Sequence, residues 1–161
     1  MMDDKLVYDF FLGLPKDSAK LLIYDILDFD ENQIEYNHNF IQWIFPTKEK
    51  SQVNDKAPQI SEKFEKLFLN NETVQENFCK SCKMFLNFIG FDCSCNKGDN
   101  VITNIKNKKK YYDLPSHNFL RITRVLNSLR QIGNGSCSKK LFAELEKIRN
   151  ENRECKKFSV I

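Results

Sequence analysis

The chain has 161 residues, of which 41% are hydrophobic and 12% aromatic, with 14 phenylalanines against five glycines and four prolines. This balance excludes a disordered or collagen-like polymer and favours one packed domain, which at about 150 residues buries roughly 70% of its unfolded surface. The net charge of +3 conceals two unequal parts, −5 over residues 1–60 and +8 beyond them, yet neither reaches the density of a nucleic-acid-binding arm.

Taken in chain order, Leu6, Tyr8, Phe10, Phe11 and Leu14 open a short helix or an extended arm that Gly13 and Pro15 stop. Asp17 or Ser18 then caps a helix through Leu21, Leu22, Ile23, Ile26 and Leu27. Asp28, Asp30 and Glu31 suit the first turn of the next helix, where the macrodipole favours negative charge. That helix is expected from about Glu31 to Phe45. Its apolar residues occupy two sides of the wheel, Ile34, Ile41 and Phe45 on one and Tyr36, Phe40 and Trp43 on the other, so it should be central and mostly buried. Glu35, His38, Asn39 and Gln42 share the remaining strip. Pro46 ends the helix, and Thr47 to Pro58 reads as a surface loop.

Phe64, Leu67 and Phe68 suggest another helix, interrupted at Asn70-Asn71. Asn71 starts the next, which presents Val74, Phe78, Cys82, Phe85 and Ile89 at three- and four-residue intervals and finishes at Gly90. Residues 92–112 are the least regular, with a short hairpin or an open loop around Val101 to Ile105. Ser116 is a natural N-cap for a helix whose core face is Phe119, Ile122, Val125, Leu126 and Leu129. On its other side His117, Arg121, Arg124, Ser128 and Gln131 align within about 80° of the wheel. Gly133 to Ser136 breaks this helix, and a last amphipathic one runs from about Ser138 to Asn152.

Two blocks hold the only histidines and the only tryptophan: Tyr36-Asn37-His38-Asn39-Phe40-Ile41-Gln42-Trp43-Ile44-Phe45-Pro46, and Ser116-His117-Asn118-Phe119-Leu120-Arg121-Ile122-Thr123-Arg124-Val125-Leu126-Asn127-Ser128-Leu129. Both resemble the opioid growth factor receptor conserved region, whose signature runs roughly H-(D/N)-(Y/F)-I-Q-W-(L/I)-F-P and later H-N-(Y/F)-L-R-I-T-R-(I/V)-L-x-S-L. Asn54, Ala57-Pro58 and Phe85 to Phe91 also resemble it, so the likeness runs from about Ile34 to about Leu145. It leaves an N-terminal helical extension over 1–30 and a short tail over 153–161. The family's vertebrate members are described as binding a small opioid peptide and restraining growth in the nucleus, and they carry C-terminal repeats. Nothing in this sequence resembles those repeats, so peptide binding is not carried over.

The two polar strips are the candidate site. If the helices face each other, Glu35 and His38 meet Arg121 and Arg124, since a buried guanidinium needs a carboxylate or several acceptors to offset lost hydration, and Gln42 and His117 complete the candidate set. One reading is an interhelical polar network that sets packing register. The other is a pocket in which Arg121, Arg124 and His117 hold a phosphate or carboxylate. Neither histidine has a nucleophile beside it at triad-like spacing, so no catalytic residue is assigned. Trp43, Phe45 and Pro46 read as structural anchors, with the indole N–H partly exposed at the Pro46 turn.

Cys79, Cys82, Cys93 and Cys95 form a four-thiolate zinc set only on paper. The second pair has one intervening residue where structural zinc takes two to four, and Cys82 falls on an apolar helix face, so ordinary packing is preferred and no metal is assigned. Lys106 to Lys110 with Tyr111 and Tyr112 is the one basic cluster with adjacent aromatics, the place where nucleic acid would bind if it does.

The resulting expectation is an all-α, single-domain bundle of about five to seven helices over 1–161, with a small irregular or hairpin insertion around 92–112. It is read as a non-enzymatic protein-interaction module, a structural or accessory subunit of a larger assembly, with other proteins as partners and no cofactor. A small-ligand or peptide receptor and a nucleic-acid-associated protein are the alternatives. A structural subunit should leave Phe10, Phe11 or Phe158 exposed for its neighbours. No apolar run nears the about 20 residues of a membrane span and the N-terminus is acidic where a signal peptide is basic. The expected location is therefore intracellular, cytoplasmic (including cytoskeletal assemblies) or nuclear, with the six cysteines reduced.

Overall fold

A computed structural model describes residues 3–14, 22–96, 99–104 and 117–151, with the side chains at 95, 96, 99, 100, 104 and 151 left aside. Among these residues the order is α1 (Asp4–Phe11), α2 (Ile23–Leu27), α3 (Glu31–Tyr36), α4 (Ile41–Ile44), α5 (Phe64–Leu69), α6 (Glu72–Phe88), β1 (Phe91–Asn96), β2 (Asp99–Asn104), α7 (His117–Gln131) and α8 (Gly135–Glu151). No helix among them is long and apolar enough to cross a membrane.

Local chemistry accounts for most of these boundaries. Asp30 caps α3 in the extended region, accepting from the Gln33 amide at 2.8 Å while the Gln33 side chain accepts from the Asp30 amide at 3.0 Å. Asn71 does the same for α6, its side chain accepting from the Val74 amide at 3.0 Å. Val74, Phe78, Cys82 and Phe85 bury one face of α6, and the chain leaves it through Gly90 at φ 98°, which only glycine adopts without strain.

Two expectations are corrected. The fold is mostly helical but not all-α, because the hairpin allowed for around 92–112 is a paired two-stranded sheet, β1 and β2 running antiparallel with Cys93 opposite Ile102. Strict alternation carries this hairpin: Phe91, Cys93 and Ile102 are buried while Asp92, Val101 and Thr103 face outward. Helix by helix there are eight among the described residues, not five to seven, partly because the expected helix from Glu31 to Phe45 is two. Asn37 sits in the extended region at ψ 127°, and the chain turns a corner before α4 begins at Ile41. That turn resolves the two-sided apolar pattern. Ile34, Phe40, Ile41, Ile44 and Phe45 go inward, whereas Tyr36 is left 76% exposed.

One cluster of buried side chains runs through all of these elements. At its centre the Phe78 ring meets Phe11, Phe45 and Phe68 edge-on at 5.8, 6.0 and 5.4 Å. Pairs of this kind contribute about 0.5–1.5 kcal/mol each beyond the area they bury. Helix α1 belongs to this core. Val7 and Phe11 are fully buried and Phe10 nearly so, with the Phe10 ring 5.5 Å from that of Trp43. The segment is pinned at its start, where the Asp3 amide donates to the Gln59 carbonyl at 2.7 Å and the Asp4 carboxylate accepts from the Ser61 amide at 2.7 Å and from its hydroxyl. At its end the Asn77 side chain donates to the Phe11 carbonyl at 2.7 Å. The expectation that Phe10 and Phe11 stand exposed for a neighbour is therefore overturned, because the chain's own α4, α5 and α6 cover them. Phe158 lies outside the described residues.

Candidate functional site

The polar strip of α7 lies along residues 34–49, and its side chains are taken up one after another by that segment. His117 Nε2 stands 3.1 Å from Glu35 Oε1, and the Asn118 side chain donates to Glu35 Oε2 at 2.9 Å. Arg121 Nη1 donates to the Ile34 carbonyl at 2.6 Å and to Asn118 Oδ1 at 3.2 Å, while Nη2 donates to the Asn37 carbonyl and lies 3.4 Å from His38 Nδ1. One turn on, Arg124 donates from Nε to the Phe45 carbonyl at 2.8 Å and from Nη2 to the Gln42 carbonyl at 3.3 Å. The Ser128 hydroxyl donates to the Pro46 carbonyl at 2.7 Å. Gln131 accepts from the Lys48 amide at 2.7 Å and donates to Glu49 at 2.8 Å.

The logic of this ladder is carbonyl bookkeeping at helix ends. A helix leaves its last carbonyls without intrahelical partners, and a short helix consists largely of ends. In α3 the Gln33 carbonyl accepts from the Asn37 amide and side chain, and Arg121 takes those of Ile34 and Asn37. In α4 the Ile41 carbonyl accepts from the Phe45 amide, and Arg124 takes those of Gln42 and Phe45. A guanidinium suits this role because its planar fork reaches two acceptors at once. Burial lowers Arg121 from its ordinary value, with Glu35 pulling the other way, and burial pushes Arg124 down to about 10 against the pull of Glu49. Both remain charged at neutral pH. The Arg121 guanidinium also sits 5.5 Å over the Phe40 ring.

The expected contacts of Glu35 and His38 with the two arginines are met in altered form. His38 reaches Arg121, but Glu35 bonds His117 and Asn118, and Arg124 meets main-chain oxygens. The His38 and His117 rings stand edge to face at 5.3 Å. Burial, Arg121 and His117 together hold the His38 imidazole below its ordinary value, against Glu35. Gln42 is buried, and its Oε1 is the one buried side-chain oxygen or nitrogen among the described residues without a hydrogen-bond partner. Phe45 and Pro46 are buried and Trp43 is half-buried against Phe10. Asn118, fully buried and bonded to both Glu35 and Arg121, was missed by sequence reasoning. Its signals were its place in the second signature block and a position three residues before Arg121, one turn away on the same helix.

Among the described residues, no group of three or more His, Cys, Asp or Glu side chains could hold a metal ion. Cys82 is fully buried, and burial, with Cys137, Cys93 and Cys79 as electrostatic neighbours, pushes its thiol well up. The cysteine that joins this group is thus Cys137 of α8, while the side chain of Cys95, like Lys106 to Lys110, Tyr111, Tyr112 and Ser116, lies outside the described residues.

Both signature blocks are joined by this ladder, and the sequence matches the family described as the opioid growth factor receptor conserved region over residues 14–150. The chain belongs to that family. The match starts well before Ile34 and leaves α1 ahead of it. Among its relatives, opioid growth factor receptor-like protein 1 of Xenopus tropicalis is 33% identical over 106 residues, 65% of this chain and 20% of that protein. The opioid growth factor receptor of Rattus norvegicus is 35% identical over 118 residues, 70% of this chain and 20% of the receptor. That of Homo sapiens is 33% identical over 103 residues, 62% and 15% respectively. The matched region therefore spans a fifth or less of these relatives. No solved structure matches the chain.

Proposed function

We propose that this family domain is a non-enzymatic protein-interaction module that serves as a structural or accessory part of a larger intracellular assembly, cytoplasmic or nuclear. The observation that carries the reading is the use of the strip: Arg121 and Arg124 direct their donors at the chain's own carbonyls, an arrangement that braces a corner and leaves little to grip an anion. Among the polar residues that face solvent on the braced elements stand two large apolar ones, Tyr36 on α3 at 76% and Leu120 on α7 at 62% exposure. Exposed aromatic and aliphatic side chains on a rigid support are the usual anchors of protein interfaces. The relatives are named as receptors for a growth factor, which favours a polypeptide partner over a small metabolite. The test is co-purification of the tagged full chain from its native cell. One stoichiometric complex, lost when Tyr36→Ser and Leu120→Ser are combined with helicity unchanged, is the expected result. A free monomer in both cases would overturn the reading.

A further inference from the structure

We infer that Glu35, His38, His117 and Arg121 form a proton-sensitive clasp that holds the α3–α4 corner against the first turns of α7 when His38 is neutral and releases it when His38 is protonated. Beyond the interaction reading, this is a control on the shape of one surface, and it stands on hydrogen-bond polarity. Arg121 is 5% exposed and fixed by the Ile34 and Asn37 carbonyls and Asn118 Oδ1, so its Nη2 presents donors only and cannot turn away. Neutral His38, with its proton on Nε2, offers Nδ1 as an acceptor 3.4 Å from that nitrogen. A second proton on the ring converts Nδ1 into a donor aimed at a donor, beside a fixed positive charge.

The other groups set the direction. Among the described residues, the ionisable neighbours of His38 are Glu35 on α3 and His117 and Arg121 on α7. A proton on His117 is matched by Glu35 Oε1 at 3.1 Å, and Asn118 occupies the other carboxylate oxygen at 2.9 Å, so Glu35 is committed away from His38. A proton on His38 therefore finds Arg121 and the edge-on ring of His117, which is itself positive once charged. Because the folded chain binds this proton less readily than the unfolded one, the contribution of the clasp is complete above about pH 6.5 and is lost as pH falls through the lower folded value. His38 is exposed, so its charged ring can swing outward into solvent, and the corner between Asn37 and Phe40 then keeps its Arg121–carbonyl bonds but loses the histidine tie, while α7 and α8 keep their packing.

The experiment uses the full chain, whose two histidines give two resolvable ring titrations by NMR, together with hydrogen exchange at the Asn37 and Trp43 amides that flank the corner. Between pH 7.5 and 5.0, protection corrected for intrinsic exchange should fall at both amides, in step with the titration of the His38 ring. The Leu145 amide on α8 should keep its protection. His38→Gln, which keeps a fixed acceptor, should abolish the loss. Unchanged protection at Asn37 and Trp43, an equal loss in His38→Gln, or a His38 ring midpoint at or above about 6.5 would each overturn the clasp, the last without reliance on any variant.

Discussion

Replacing Arg121 by methionine tests the brace directly, because methionine keeps the length and apolar bulk of the side chain but no donor. The variant strands the Ile34 and Asn37 carbonyls, removes the bond to Asn118 Oδ1 and takes the cation from the Phe40 face. Each stranded buried acceptor costs about 1–3 kcal/mol, and the cation–π contact adds about 0.5–2 kcal/mol. Against this, the native state no longer holds a nearly buried guanidinium out of water, which returns several kcal/mol. The balance expected is a net loss of about 3 kcal/mol, within the range for breaking a buried charged network. With a urea dependence of about 2 kcal/mol per molar, the unfolding midpoint followed by circular dichroism moves down by about 1.5 M. Arg121→Lys should recover only part, since one ammonium is a point charge and cannot span two carbonyls as a fork does. The reasoning is refuted if Arg121→Met leaves the midpoint where it was, or if Lys serves as well as Arg.

Four further outcomes rest on the packing. Phe11→Ala, at a fully buried ring against Phe78, should cost about 3–5 kcal/mol in urea unfolding. Deletion of residues 1–13 should raise binding of an apolar dye, because the faces of Trp43 and Phe78 that α1 covers are opened. Gly133→Ala should cost about 1–2 kcal/mol in thermal unfolding, since φ is +101° and the new methyl would lie 3.1 Å from Glu65 Oε1. Thiol labelling of the native chain at pH 8 should spare Cys82, which is fully buried and pushed up by that burial, and modify it only once urea unfolds the chain. Rapid native labelling at Cys82 would contradict its place in the core.

Periodicity was enough to read α6 and α7, because each buries one face against the same core and the three- and four-residue spacing records it. The start at Asn71 was legible for the same kind of reason, being satisfied by a group three residues away, whereas Asp30 was read only as a first-turn acid and its capping role came from the structure. The strip from His117 to Gln131 was readable as a strip, and the two signature blocks as partners. The break at Asn37 to Phe40 was not, since a run of apolar residues on two sides of a wheel fits a buried helix as well as a bent one. Nor were the acceptors of Arg121 and Arg124, because main-chain carbonyls carry no letter in a sequence.

By itself the sequence determined the buried faces of α6 and α7 and which family the chain joins, since both are properties of residue type and local order. Only the tertiary structure decided that the chain bends where two arginines from 79 and 87 positions later cap its broken helix ends, that α1 is part of the core, and that Cys137 joins Cys82. Those outcomes depend on which distant surfaces meet, and that choice is settled by the packing of the whole core at once, where no window of neighbouring residues contains the answer.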